Sequence, residues 1–130
     1  KKKHRHKYNY TMIINIGLDI IEKKRIKKLI YKYKKQFIRK ILSNKEQSIF
    51  KNKSKKIEFL SKIFSLKETI SKTLGTGFIN KITFNKIKIS NNKLGKPIAN
   101  KIFNNKIILS ASHEKHLTIT LSIILKITYT

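Results

Sequence analysis

The chain has 130 residues, 32 of them Lys or Arg and only 6 Asp or Glu, for a formal charge of +26 and an isoelectric point near 10.4. That length supports one domain with a small core, since 39% of residues are hydrophobic, and the absence of cysteine excludes disulfides, thiolate catalysis and cysteine-bound metals. Purely apolar runs such as Ile123-Ile124-Leu125 fall far short of the ~20 residues of a membrane span, so no membrane partner is expected and the protein reads as cytoplasmic.

Residues 1–11 are basic, carry no apolar periodicity and read as a disordered tail, or as a stretch preceding a natural start at Met12; residues 12–130 read as the single domain. Met12 to Ile16 predicts a short buried strand, with Gly17 turning the chain and Asp19 directly after the turn. Ile26, Leu29, Ile30, Tyr33, Phe37 and Ile41 recur at spacings of three and four, which predicts one amphipathic helix. Its other face would carry Arg25, Lys28, Lys32, Lys35 and Arg39 as a basic ridge.

Ser43 and Asn44, with Glu46 and Gln47 three residues after each, give a capping-box start to a second, short helix, and lysine-rich 51–56 reads as the loop after it. A third helix is predicted from about Ile57 to Leu74, with Phe59, Ile63, Leu66, Ile70 and Leu74 on one ridge and Gly75 as its stop. Ser61, Ser65, Glu68 and Lys72 fall on the opposite side. Period-two alternation follows in 82–84 and 87–89, Asn91–Gly95 is a turn, and Leu117, Ile119, Leu121, Ile123, Leu125 and Ile127 alternate with mostly Thr and Ser as the clearest strand. Helices first and antiparallel-type strands after them argue an α+β fold, helices packed on a small antiparallel sheet.

The charge by itself suggests a nucleic-acid partner, because lysines that neutralise phosphates gain affinity by counterion release. Against this, arginine occurs only at positions 5, 25 and 39, no reading motif is present, and the crowding of Lys with Ile and Asn is what an AT-biased genome favours. A small basic nucleic-acid-binding or ribosome-associated protein is therefore the alternative reading, and nucleic acid is not the expected partner.

Among so few acids Asp19 and Glu68 stand out, each with an ordinary explanation. Asp19 reads as a helix N-cap, and Glu68 with Lys72 as an i,i+4 ion pair that contributes only ~0.2–0.5 kcal/mol. Gly75-Thr76-Gly77 alone is a helix stop, Gly95-Lys96-Pro97 a turn, and His113 a loop histidine between strands.

The order of these pieces changes their weight. Asn15-Ile16-Gly17-Leu18-Asp19, then Phe64 to Gly77 with Lys67-Glu68, Lys72 and Gly75-Thr76-Gly77, then Leu94-Gly95-Lys96-Pro97, then Leu109-Ser110-Ala111-Ser112-His113-Glu114 resembles the holo-acyl-carrier-protein synthases. These are the small bacterial type of 4′-phosphopantetheinyl transferase, and the resemblance spans Met12 to about Ile127. It implies a trimer of that fold whose active sites lie between subunits. It also implies Mg²⁺-dependent transfer of phosphopantetheine from coenzyme A to a serine of apo acyl carrier protein, which activates the carrier for fatty acid biosynthesis. Asp19 and Glu68 would hold the metal, Lys72 would sit on the transferred phosphoryl group, and Lys72, Gly75, Thr76, Pro97, Ser112 and His113 would line the coenzyme A site. The basic ridge would receive the acidic carrier. A metal-bound water and Glu68 are both open as the base.

The chain departs from the family pattern twice. Ile63 stands where relatives carry a basic residue, so one phosphate contact is expected to be missing, with Lys62 ~100° around the helix. Residues 98–108 are too few for the helix that relatives place there, which predicts a shortened connection.

Overall fold

The computed structural model describes residues 8–9, 12–75, 83–100, 102, 105–126 and 128–129. In chain order its elements are β1 (Tyr8–Asn9), β2 (Ile13–Glu22), α1 (Lys23–Tyr33), α2 (Lys35–Ile41), α3 (Asn44–Lys51), α4 (Lys56–Leu74), a 3-10 turn (Phe84–Lys86), β3 (Ile89–Asn91), β4 (Pro97–Ala99), β5 (Lys106–His113), β6 (Leu117–Leu125) and β7 (Thr128–Tyr129). The strand pairings are antiparallel and the architecture is α+β, as predicted. A central sheet runs in the order β2-β6-β5, with α4 packed on one of its faces. Tyr8–Asn9, expected in a structureless tail, pairs instead with Thr128–Tyr129.

Several predicted elements hold their bounds because the signals that set them are local. Ser43 accepts from the Glu46 backbone N–H while Glu46 Oε1 accepts from the Ser43 N–H at 2.9 Å, closing the capping box at the start of α3. α4 ends at Gly75, whose φ of 82° suits a residue without Cβ. On α4, Leu60, Leu66 and Ile70 are fully buried, each burial stabilising by about 1.5–3 kcal/mol. Asn92–Gly95 turns the chain between β3 and β4, and β4 leads to β5 with no helix among the described residues between them. The predicted alternation at 82–84 gives way to the 3-10 turn at Phe84–Lys86, while Ile82 and Ile127 lie outside the described residues.

Elsewhere the structure corrects the sequence. The amphipathic stretch from residue 26 to 41 is two helices, because Lys34 adopts φ 48° and breaks it into α1 and α2. Arg25, Lys28 and Lys32 stay on α1, whereas Lys35 and Arg39 belong to α2 and do not continue that helical face. Gly17 is not a turn. β2 runs straight through it, and its role is clearance, since a Cβ there would lie 2.8 Å from the Thr69 carbonyl of α4. Asp19 is consequently a mid-strand residue paired with Thr120, not an N-cap.

The largest correction concerns the sides of elements. Ser61 and Ser65, expected on the side of α4 opposite its apolar ridge, are buried with Thr69 and Thr73 against Thr118, Thr120 and Ser122 of β6. Ser65 and Thr120 hydroxyls meet at 2.7 Å, and Ser122 donates to the Thr69 carbonyl at 3.2 Å. The odd-numbered aliphatic residues of β6, Leu117 to Leu125, therefore face away from α4, while Ile124 joins the buried side. Across the strands Ile16, Leu18 and Ile20 of β2 stand opposite Ile123, Leu121 and Ile119. Leu18 and Ile20 remain 55% and 57% exposed, so the predicted buried strand shows an open apolar side.

Candidate functional site

β2 presents Asn15, Gly17, Asp19 and Ile21 to α4, by the two-residue period of a strand. The missing side chain at Gly17 allows the close approach, and Asn15 Nδ2 ties β2 to the end of α4 by donating to the Thr73 carbonyl at 3.0 Å. On α4, Ser65, Glu68 and Lys72 follow one another at spacings of three and four and so share one stripe. Asp19 meets this stripe. Ser65 Oγ donates to Asp19 Oδ2 at 2.9 Å and Lys72 Nζ donates to Asp19 Oδ1 at 2.7 Å.

Glu68 completes the group. Burial first, and then the negative charge of Asp19, push its carboxyl above the usual carboxylate range, against the pull of Lys72 and Arg25. The Lys72 ammonium is pushed up chiefly by its hydrogen bond to Asp19. Arg25 closes one side, its guanidinium 5.9 Å above the centre of the Phe64 ring. The Asp19 side chain is only 10% exposed whereas that of Lys72 is 53% exposed, so the carboxylate is fixed and the ammonium is free to move. Asp19, Glu68 and Lys72, which the sequence separates by up to 53 positions, are thus one constellation. Gly75 stands at the end of the same helix, one turn beyond Lys72. Thr76 lies outside the described residues.

The other predicted ligand-binding residues gather near the opposite end of α4. Pro97, Ser112 and His113 line a cavity of about 350 Å³ together with Lys53, Phe59 and Lys62. His113 Nε2 lies 3.0 Å from Glu58 Oε1, and Nδ1 lies 3.4 Å from Lys23 Nζ. Because an ammonium can only donate, Nδ1 is the acceptor and Nε2 carries the proton toward Glu58. Ile63 is buried in the core, as its side chain demands, but Lys62 reaches this cavity, where burial and then Lys53 push its amine down. Position 63 points into the core, and the lysine next to it lines the cavity of Pro97, Ser112 and His113.

Arg25, Lys28 and Lys32 form an exposed basic strip along α1. Sequence reasoning missed Ser65 as a partner of Asp19. The signal was its place on one stripe with Glu68 and Lys72, read as a solvated face because nothing local tells which side of α4 meets the sheet. It also missed Lys67, which is fully buried and donates to Glu46 Oε1 and to the carbonyls of Ile41 and Phe84.

Comparison with known proteins bears on the family and the fold. Residues 15–122 match the model of the 4′-phosphopantetheinyl transferase superfamily. A holo-[acyl-carrier-protein] synthase of Blochmanniella pennsylvanica is 40% identical over 111 residues, covering 85% of this chain and 89% of that protein. The solved holo-(acyl-carrier-protein) synthase of Bacillus anthracis, in complex with CoA (3′,5′-ADP), superposes with a TM-score of 0.79 at 34% identity, over 88% of this chain and 98% of that one. That of Neisseria meningitidis gives a TM-score of 0.82 at 30% identity, over 88% and 100%.

Proposed function

This chain belongs to the 4′-phosphopantetheinyl transferase superfamily, and we propose that, as a holo-acyl-carrier-protein synthase, it moves 4′-phosphopantetheine from coenzyme A to a serine of apo acyl carrier protein with Mg²⁺ held by Asp19 and Glu68. The observation that carries the reading is the Asp19 carboxylate, buried, tethered by Ser65 and Lys72 and facing a second carboxylate whose ionisation it opposes. Two like charges held together in a small protein are a cost to folding. They fit a divalent cation, which would relieve the repulsion. The donor set is also of the right kind, being carboxylate oxygen alone. Mg²⁺ takes one or two carboxylates and completes its shell with phosphate and water, so two acids are enough to hold it.

When bound, Mg²⁺ would supply charge neutralisation at the pyrophosphate. The carrier serine oxygen forms a bond to the phosphorus on the pantetheine side, and the bond from that phosphorus to the bridging oxygen breaks. The electron pair leaves with adenosine 3′,5′-bisphosphate. Lys72 follows the developing charge on the phosphoryl oxygens, which its exposed, flexible stem permits. Glu68, the second carboxylate of the constellation, is our assignment for the base that takes the serine proton. Gly75, Thr76, Pro97, Ser112 and His113, with Lys62 added, would hold the rest of coenzyme A, and the α1 strip would receive the acidic carrier.

The two groups of ligand residues lie at opposite ends of α4 and do not share a cavity, which supports sites completed between copies of the chain. So does the open apolar side of the sheet. Exposed Ile16, Leu18 and Ile20 on the edge strand β2, continued by Ile119, form the kind of patch that a soluble monomer avoids and that a second copy covers. We assign a homotrimer. No described helix is long and apolar enough to cross a membrane, and we place the reaction in the cytoplasm.

The test is the mass of apo acyl carrier protein incubated with the chain, coenzyme A and Mg²⁺. The expected result is a shift by one phosphopantetheine that chelation abolishes and Mg²⁺ restores; an unmodified carrier would refute the reading. Light scattering at micromolar concentration is expected to give a trimer, and a fully active monomer would remove that assignment.

A further inference from the structure

The two tethers on Asp19 differ in kind. Lys72 reaches Oδ1 from solvent on a flexible stem, while Ser65 reaches Oδ2 from a fully buried position on the face of α4 pressed against β6. A hydroxyl has one proton. Since Asp19 can only accept, Ser65 spends its proton there, and the 2.7 Å contact between Ser65 and Thr120 must run with Thr120 as donor. Thr120 has a second acceptor in the Ser65 carbonyl at 3.0 Å, so its one proton is shared between two atoms of Ser65, while the Ser65 proton is left for Asp19. The Ser65 hydroxyl, itself held by Thr120, thus ends on one carboxylate oxygen of Asp19.

We infer that Ser65 is a positioning residue for Asp19, keeping the carboxylate aimed while Lys72 leaves it for the phosphoryl group. The inference rests on the reading of Asp19 as a metal-binding group. On the free chain Asp19 has two donors, and once Lys72 turns to substrate only the buried one is left. The same helix provides a matched control. Ser61, one turn earlier on the same buried stripe, has a hydroxyl with no partner among the described residues and no link to Asp19.

The experiment compares the full chain with Ser65→Ala and Ser61→Ala, measuring Mn²⁺ binding in the presence of coenzyme A by electron paramagnetic resonance, then kcat and KM, then melting. Ser65→Ala is expected to weaken Mn²⁺ binding and to lower kcat by about tenfold each, the usual scale for a group that orients a metal ligand. KM for the carrier should stay within about twofold, the range of an uninvolved site. Ser61→Ala removes a hydroxyl that has no partner among the described residues, so it should melt at or above the unaltered chain and leave binding and kcat at wild-type values. If Ser65→Ala binds Mn²⁺ as tightly as Ser61→Ala, the positioning role is wrong and the metal site stands. If the unaltered chain itself binds no Mn²⁺ with coenzyme A, the metal reading fails and this role with it.

Discussion

α4 carries two lysine–carboxylate pairs five residues apart, and they have opposite characters. Lys67 and Glu46 are fully enclosed, 0% and 2% exposed, and every polar atom of the pair is used. Lys67 donates to Glu46, Ile41 and Phe84, and Glu46 also accepts from the backbone of Ser43 and, at 2.7 Å, of Ile89. In the second pair Lys72 is half exposed and Asp19 largely enclosed, with a further carboxylate beside them. The first pair joins the ends of α2 and α3 to the 3-10 turn and β3, and has no free valence to offer a ligand. The second is incomplete in a way that only a ligand would finish. Burial with full satisfaction marks a structural pair, and partial burial with unrelieved repulsion marks a site.

The sharpest way to break this contrast is to remove Lys67. Lys67→Met leaves Glu46 charged and buried, and should destabilise by about 3–5 kcal/mol in a chemical denaturation titration, with transfer lost only as the folded fraction falls. Lys72→Met should do the reverse. An exposed pair contributes only about 0–1 kcal/mol, so melting would hardly move while transfer collapses. Equal melting losses in the two variants would erase the distinction.

A smaller effect is expected on the α1 strip. Lys28→Glu with Lys32→Glu should raise KM for the acidic carrier by about tenfold and leave that for coenzyme A unchanged, with the difference shrinking as salt is added. Arg25 is left intact because it also stands beside Glu68. Parallel shifts in both constants would make the strip a solvated face.

The smallest effect is a pH dependence of stability in the metal-free chain. Glu68 has its folded pKa raised above the unfolded value, so between those two values the folded state holds the extra proton and stability falls as pH rises. Glu68→Gln should therefore be at least as stable as the unaltered chain at neutral pH, with the gain disappearing as pH drops below the unfolded value. A Gln variant that loses stability at neutral pH would contradict the assigned cause.

What could be read from the sequence follows the range of the forces involved. The capping box at Ser43, the stop at Gly75 and the turn at Asn92–Gly95 depend on a few adjacent residues, and all stand where the sequence put them. The break at Lys34 was hidden because the apolar spacing continues across it. The alternation in β6 predicted a strand but not which side would be covered, since a period has no sign. Thr118, Thr120 and Ser122 go inward because α4 brings its own hydroxyls to meet them, a long-range choice that also leaves Ile119 and the facing Ile20 of β2 exposed. Asp19, Glu68 and Lys72 were identified through a resemblance, and the geometry brings them together. Ser65 needed the structure, because only packing separates a buried hydroxyl from an exposed one.

The central claim is that Asp19 and Glu68 serve a ligand and not the fold. It is tested most directly by measuring carrier modification and melting together for Asp19→Asn, Glu68→Gln and the double variant at saturating Mg²⁺. Asn and Gln keep the shape and remove the charge, so each single variant should lose on the order of 10²-fold or more in transfer while melting within a few degrees of the unaltered chain. The double variant should be far less than multiplicative, because both carboxylates act through one ion. Near-normal turnover in either single variant would contradict the account and return that residue to the ordinary role of a surface charge.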